Sequence, residues 1–337
     1  MPQQQKQSNW QLATQVIEEI ETPLMLENDI HQLSACVGIT LFHCPSNLPS
    51  DELIRQADIA LKMAKGSNTN TIRFFDQGME SAVKERLQLS QALNHAVENK
   101  ELALAFQPQV NTHQQVIGFE ALLRWQHPSL GTISPNDFIT IAEATGSIIG
   151  IGDWVLEKSC EMLLQWQTSN DCKHLKISVN VSSVQFRRGD FVERVQDILE
   201  RTGANPNNLC FELTESLIAD DIDFIVQQMK SLRQLGVSIS LDDFGTGYAS
   251  LAYLTRLPLD ELKVDRAFVS DLDEYSKGAL LTETIISLGR SMNLAIIAEG
   301  VETNEQFKRL QTMGCQFFQG YLFGKPQTDV EPYLPKK

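Results

Sequence analysis

From residue 101 onward, short apolar runs alternate with longer amphipathic stretches, and this alternation constrains the fold more than any other feature. The apolar runs include LKISVNVS, LCFELTE and LAIIAEG, and the stretches between them have helical periodicity. Near-continuous apolar strands separated by helices predict a parallel sheet whose outer face is covered by those helices. A segment of roughly 235 residues with about eight such strands fits a closed β/α barrel better than an open sheet.

One pair of strands departs from this pattern. The runs 102–110 and 116–124 are separated only by NTHQQ. A connection this short is typical of a hairpin, whereas parallel neighbours need a longer crossover. We therefore predict an α/β fold, a modified TIM (β/α)8 barrel with one antiparallel strand.

Polar side chains lie at or near the C-terminal ends of nearly all the predicted strands. Asp242 and Asp243 follow VSISL, and Glu299 follows LAIIA. The other strands carry Glu120, Arg124, Asn180, Glu212, Glu215, Lys263, Asp265 and Gln319. In a barrel these strand ends converge on one mouth, where active sites lie. A single such residue could be a turn residue or a helix cap, but seven strands with this feature favour a common site.

The carboxylates in this set predict a metal site. Burying Glu120, Glu212, Asp242, Asp243 and Glu299 together without cations would be costly or would force protonation. An all-oxygen donor set with one amide and no paired His or Cys favours Mg²⁺ or Mn²⁺ over zinc. Two ions about 3.5–4 Å apart are the usual arrangement for attack of water on a phosphodiester. We expect two ions here.

Seven motifs occur in a fixed order: FEALLRW, VNVSSVQF, FELTES, LDDFGTGY, LKVDR, AEGVE and QGYLFGKP. Together they resemble the EAL-domain cyclic-di-GMP phosphodiesterases, and the resemblance covers residues 83–330. It implies a bacterial second-messenger hydrolase that uses two metal ions to open cyclic-di-GMP to linear pGpG. It also implies a homodimer formed through the barrel.

The resemblance assigns roles by position. It gives one metal to Glu120, Asn180, Glu212 and Asp242, and the second to Asp242, Asp243 and Glu299. Catalytic roles fall to Lys263, Glu299 and Glu120, with Lys263 orienting or activating the attacking water. The substrate side is assigned to Gln107, Arg124, Asp265 and Gln319, and the ordering of the loop DDFGTGYAS to Glu215. For Lys263, a salt bridge to Asp265 along the strand is the alternative.

Two other functions are compatible with such a barrel. One is a catalytically silent EAL module that binds cyclic-di-GMP or serves as a scaffold, and the other is an enzyme for a different phosphorylated metabolite. Silent members typically lack metal ligands or the EAL glutamate, and this chain retains them all. The sequence therefore favours the enzyme.

Residues 1–78 have a different pattern: a helix over residues 9–30 that runs into a short extended segment, a strand over residues 33–42, a second helix and another strand. ACVGIT, ADIALKMAK and GSN resemble the C-terminal half of a GGDEF domain, a small partial α+β segment. The GGDEF signature itself is absent from the sequence, so we expect no cyclase activity. Residues 79–100 read as a charged amphipathic helix, either a linker or the first helix of a barrel domain that occupies residues 101–337.

Composition restricts the partners and the compartment. The net charge of −15 argues against sequence-independent binding of DNA or RNA. No run reaches the roughly 18–20 apolar residues of a membrane span, and the N-terminus lacks the apolar core of a signal peptide. The six cysteines are scattered without a CxxC pair, as expected for reduced thiols. We expect a cytoplasmic protein or the cytoplasmic part of a larger one.

Overall fold

The computed structural model describes residues 2–26, 29–31, 33–42, 48–65, 70–219, 221–245, 251–272 and 276–334. The chain divides into two compact units, residues 1–91 and residues 92–337. Within the described ranges, no helix combines the length and the apolar character that a membrane crossing requires.

The first unit contains α1 (Pro2–Glu21), β1 (Leu24–Leu26), β2 (Asp29–His31), β3 (Val37–Ile39), α2 (Ser50–Lys65), β4 (Ile72–Phe74) and most of α3 (Gln77–Leu93). Strands β1 and β2 pair antiparallel, whereas β3 and β4 pair in parallel. Ala13 and Ile17 of α1 pack with Ile72 in a small core. The predicted strand over 33–42 is shorter than expected, and GSN (residues 66–68) lies outside the described residues.

Helix α3 ends at Leu93, whereas the predicted helix extends to residue 100. Residues 94–100 form turns, and Lys100 has a φ of 59°, which a right-handed helix cannot accommodate. Leu93 and Ala96 are both buried, so the chain turns around apolar contacts before the first barrel strand.

The second unit is a closed barrel. Its strands are β5 (Leu102–Asn111), β6 (Val116–His127), β7 (Gly131–Ile133), β8 (Lys176–Asn180), β9 (Leu209–Thr214), β10 (Ser238–Phe244), β11 (Glu261–Val264), β12 (Ala295–Ala298) and β13 (Phe317–Gln319). The order is β5-β13-β12-β11-β10-β9-β8-β6, closed by pairing of β5 with β6, and the short β7 pairs antiparallel with the C-terminal end of β6. Strand β5 is antiparallel to both neighbours, and the other barrel pairs are parallel. The predicted barrel with one antiparallel strand is confirmed.

The helices of this unit are α4 (Pro135–Thr145), α5 (Ile148–Gln167), α6 (Ser183–Phe186), α7 (Phe191–Thr202), α8 (Ile222–Leu235), α9 (Leu251–Leu254), α10 (Arg266–Ser270), α11 (Lys277–Ser291) and α12 (Asn304–Met313). Four of them end at a glycine in the left-handed conformation: Gly146, Gly203, Gly236 and Gly314. Glycine takes this conformation without the steric penalty of a Cβ, which explains why the helices stop there.

The strands divide their residues between two faces. Phe211, Leu241 and Leu262 are fully buried, as expected for side chains beneath the surrounding helices. Because side chains alternate along a strand, their neighbours Glu212 and Lys263 point into the barrel. This alternation places the polar groups in the interior and near the mouth.

Candidate active site

A buried ammonium group lies at the centre of the acidic cluster. Lys263 is fully buried, and its Nζ lies among carboxylates from four different strands or strand ends. The distances are 2.5 Å to Glu299 Oε1, 2.9 Å to Glu212 Oε2, 3.6 Å to Asp242 Oδ1 and 3.9 Å to Glu120 Oε2. The structure therefore brings these predicted residues together around one cation.

Side-chain amides hold one edge of this cluster. Asn180 Nδ2 donates to Glu120 Oε1 at 2.6 Å, and Gln319 Nε2 donates to Glu120 Oε2. Gln319 Nε2 also donates to Gln107 Oε1, and Gln109 Nε2 donates to Gln319 Oε1, each at 3.1 Å. The sequence reasoning missed Gln109. It lies two residues after Gln107 on the same face of β5, so the alternation could have identified it.

A bulge in β10 places Asp242 and Asp243 side by side at the mouth. The register with β11 shifts between Leu241 and Phe244, and Asp243 has a φ of 55°. A regular strand would send two consecutive side chains to opposite faces, whereas a bulge breaks this alternation. The Asp243 backbone N–H donates to Asp242 Oδ1 at 2.9 Å.

Glu215 and Asp265 occupy supporting positions. Glu215 is buried in the 3₁₀ turn after β9, and its Oε2 accepts from the Gly245 N–H at 3.1 Å. It thus contacts the start of the predicted mobile loop, of which residues 246–250 lie outside the described part of the chain. Asp265 accepts from the Ala267 N–H at 2.8 Å and caps α10. In the described residues, the ion pairs of Lys263 are with the carboxylates above rather than with Asp265.

Burial and charge shift the pKa values of the central groups in different directions. Burial, reinforced by Glu120, raises the pKa of Glu212 well above its ordinary range despite the nearby ammonium. Burial also raises the pKa of Glu299, to about 8. For Lys263, burial lowers the pKa, but the surrounding carboxylates outweigh it and the pKa is raised. Glu120 is also buried, yet Lys263 and the amide donors hold its pKa below the ordinary value.

Burial also shifts the pKa values of two groups at the outer part of the cluster, Asp243 and Arg124. Burial and the neighbouring Asp242 raise the pKa of Asp243 to about 6. Arg124 is half-buried, and burial lowers its pKa, although a guanidinium stays protonated in proteins.

The donor set fits a hard cation. Both carboxylate oxygens of Glu212 are buried and have no hydrogen-bond donor among the described residues, although Lys263 is within ion-pair distance of one of them. Five carboxylates with one ammonium leave negative charge that Mg²⁺ or Mn²⁺ could neutralise through oxygen ligands. No three His, Cys, Asp or Glu side chains in the described ranges form a ready-made metal site. The ammonium of Lys263 lies in the midst of these carboxylates instead.

A cavity of about 410 Å³ opens beside the mouth. Arg124 and Asn180 line it together with apolar side chains of α4 and α5. Within it, Ser182 Oγ donates to Glu143 Oε1 at 2.6 Å. The sequence reasoning did not single out Ser182 or Glu143, because neither stands at the end of a strand.

The EAL domain model matches residues 90–326. The chain belongs to the EAL domain family. This EAL chain is 40% identical over 321 residues to the bifunctional diguanylate cyclase/cyclic di-GMP phosphodiesterase MucR of Pseudomonas aeruginosa, with 94% of this chain and 46% of MucR covered. It is 35% identical over 316 residues to the cyclic di-GMP phosphodiesterase NbdA of the same organism, covering 94% of this chain and 40% of NbdA. The EAL chain thus spans less than half the length of these relatives.

A solved structure of the P. aeruginosa MucR phosphodiesterase in complex with c-di-GMP has the same architecture. Its TM-score to the EAL chain is 0.68 at 43% sequence identity, and the match covers 71% of this chain and 97% of that one. The predicted membership of the EAL family is confirmed. The resemblance of residues 1–78 to half a GGDEF domain stays a prediction.

Proposed function

We propose that the EAL barrel is a metal-dependent phosphodiesterase that hydrolyses cyclic-di-GMP to linear pGpG. The observation that carries the proposal is the complete cluster at the mouth, in which four carboxylates surround the buried Lys263. Similarity to MucR and NbdA, both named as cyclic di-GMP phosphodiesterases, supports it.

The residues that would hold two Mg²⁺ or Mn²⁺ ions are Glu120, Asn180, Glu212, Asp242, Asp243 and Glu299. When bound, such ions lower the pKa of water and neutralise charge on the phosphate. Glu120 is presented by its two amide donors, which fix its carboxylate plane. The bulge in β10 supplies two adjacent carboxylates to the same mouth.

The remaining polar groups would bind the substrate. Arg124 lies on the cavity beside the mouth, and its planar fork can donate two hydrogen bonds to a phosphate. Gln107 and Gln319 are both buried and linked by a hydrogen bond, so their amides are pre-positioned. Asp265 contributes indirectly, because it caps α10 and lies beside Asp243.

Glu299 would accept the proton of the attacking water, and Lys263 would orient that water. With a cation bound, Glu299 would be ionised, and an ionised carboxylate can accept a proton from the attacking water. The ammonium of Lys263 lies 2.5 Å from Glu299 Oε1 and stabilises the ionised form of this carboxyl. Lys263 itself stays protonated, because the carboxylates raise its pKa.

The decisive experiment is to incubate the purified protein with cyclic-di-GMP in Mg²⁺, Mn²⁺ or EDTA and to separate the products by chromatography. We expect pGpG only with a metal. Glu120→Gln should reduce turnover by about 100-fold or more, because it removes a ligand charge while keeping the shape. Exposed Glu305 on α12 provides the matched control, Glu305→Gln. Binding without turnover by the wild type would instead support the silent module.

We propose further that the protein is cytoplasmic and forms a homodimer through the barrel. Adjacent exposed leucines on α11, Leu280 and Leu281, support a protein contact there.

We further propose that residues 1–78 are a partial GGDEF-like segment without cyclase activity, followed by the linker helix and the barrel. Deleting residues 1–78 and measuring turnover and mass in solution tests whether this segment regulates the enzyme or its assembly. Unchanged values of both would rule out a regulatory role.

A further inference from the structure

The chain after β13 forms a rigidly held turn at the rim of the mouth, residues 320–325, which we call the rim turn. The Val301 N–H donates to the Gln319 carbonyl, and the Leu322 N–H donates back to the Val301 carbonyl, each at 3.0 Å. A Cβ added to Gly320 would lie 2.1 Å from the Val301 carbonyl oxygen. The backbone approach that fixes the rim turn therefore requires glycine at this position.

Side chains fix the rim turn from below. Phe323 packs on Phe307 and Phe318, with ring centroids 5.4 Å and 6.4 Å apart. Gln107 Nε2, from within the active-site cluster, donates to the Gly324 carbonyl at 3.2 Å. The rim turn is thus connected directly to the side chains that would contact the substrate.

An aromatic side chain stands on this rigid support and faces solvent. Tyr321 is 53% exposed, and Lys325 Nζ lies 5.3 Å from the centroid of its ring. The Tyr333 hydroxyl donates to the Lys325 carbonyl at 3.1 Å and anchors the lysine backbone. Tyr321 also lies close enough to Arg124 for the two groups to interact electrostatically. An exposed aromatic ring with a lysine ammonium against it therefore stands near Arg124, beside an acidic mouth.

We propose that Tyr321 and Lys325 form a stacking site for one purine base of the cyclic dinucleotide. The inference rests on the proposed function. The cation–π contact with Lys325 orients the ring, and the exposed ring surface is available to a base. Each phosphate of the substrate is only one nucleotide away from a base, so a phosphate on Arg124 brings a base within reach of Tyr321. Stacking of this kind adds affinity without selecting the base, since every base has a π-face.

The test uses a cyclic dinucleotide in which 2-aminopurine replaces one guanine, because the fluorescence of this base is quenched when it stacks. Rapid mixing with the wild type in Mg²⁺ should give a quench that precedes hydrolysis. For Tyr321→Ala we expect loss of the quench and an increase in KM of about tenfold, with kcat within about threefold. Tyr321→Phe keeps the ring and should restore both the quench and most of the affinity.

Two variants of Lys325 test whether its positive charge contributes to substrate binding. Lys325→Met keeps an apolar stem without the cation and should raise KM by about threefold, whereas Lys325→Arg should restore the wild-type KM. Lys308→Met, on the exposed face of α12, is the matched control for the loss of one surface lysine. Thermal unfolding of each variant verifies that the barrel is intact.

The outcomes distinguish a failure of the stacking site from a failure of the proposed phosphodiesterase function. A wild type that neither binds nor hydrolyses the cyclic dinucleotide overturns both. If the wild type hydrolyses it while Tyr321→Ala keeps the quench and the wild-type KM, the stacking site alone is wrong. A rise in KM that Tyr321→Phe does not reverse also overturns the stacking site.

Discussion

The pKa of Glu299 makes the stability of the metal-free barrel depend on pH. Burial raises this pKa from an ordinary value of 4.5 to about 8. A carboxyl whose pKa is higher in the folded state holds its proton more tightly there than in the unfolded chain. Its stabilising contribution is complete below pH 4.5 and is lost as the pH rises towards 8.

The size of the effect follows from the two pKa values. Each pKa unit corresponds to about 1.36 kcal/mol, so ionising Glu299 costs the folded state about 5 kcal/mol in all. Part of this free energy is already lost below pH 5, so the loss between pH 5 and pH 8.5 is about 4 kcal/mol. Glu299→Gln removes the titrating group. Over this range the wild type should therefore lose about 4 kcal/mol more unfolding free energy than the variant.

The assay is urea unfolding in EDTA at both pH values, followed by tryptophan fluorescence. Trp10 stacks on Phe74 in the first unit, so a Trp10→Phe background confines the signal to residues 92–337. The reporters are then Trp125, Trp154 and Trp166. Comparing pH differences rather than absolute stabilities cancels any constant effect of losing the contact with Lys263.

Two results would refute this reasoning. The first is an equal pH dependence in the wild type and in Glu299→Gln, which would mean that Glu299 titrates as an exposed carboxyl does. The second concerns Glu305→Gln, an exposed control. If this variant reduces the pH dependence of the unfolding free energy as much as Glu299→Gln does, the effect is not specific to the cluster. Saturating Mg²⁺ should abolish the loss of unfolding free energy that the wild type shows as the pH rises, because a bound cation favours the ionised carboxyl.

Three further changes test the mouth and its rim. Lys263→Met should reduce kcat by about 100-fold or more in the pGpG assay, because the carboxylates lose their shared cation; a wild-type kcat would contradict this role. Glu215→Gln weakens the contact with the Gly245 N–H, which lies two residues from the proposed metal ligand Asp243, and should raise the Mg²⁺ concentration for half-maximal rate by at least about threefold; an unchanged Mg²⁺ titration would show that this contact does not influence metal binding. Gly320→Ala forces a Cβ against the Val301 carbonyl and should destabilise the barrel by about 1–3 kcal/mol in urea unfolding; wild-type stability would show that the rim turn can relax.

The position of the site was predictable because strand ends can be read from the sequence. The apolar runs before Asp242 and Glu299 end abruptly, and in a barrel such ends share one mouth. The short NTHQQ connection likewise indicated the antiparallel pair, because so few residues cannot form a crossover. Both inferences rest on local pattern together with a general rule of the fold.

The arrangement inside the mouth was not predictable in the same way. The four carboxylates around Lys263 depend on the register of strands distant in sequence, which no local pattern specifies. The bulge at Asp243 depends on pairing with β11. The contact between Asp265 and the Ala267 N–H is different, because an aspartate just before a short helix is a capping signal. That signal is present in the sequence at Asp265.

The cluster also explains how this barrel can fold before it holds a metal. A buried group of carboxylates with a single ammonium cannot remain fully ionised, because the uncompensated charge would be too costly. The folded chain reduces this charge by retaining protons on Glu212 and Glu299, whose pKa values are raised. Amide donors stabilise the ionised Glu120 instead. A divalent cation must therefore compete with protons for these oxygens, and its affinity should increase with pH for the same reason that the metal-free barrel loses stability.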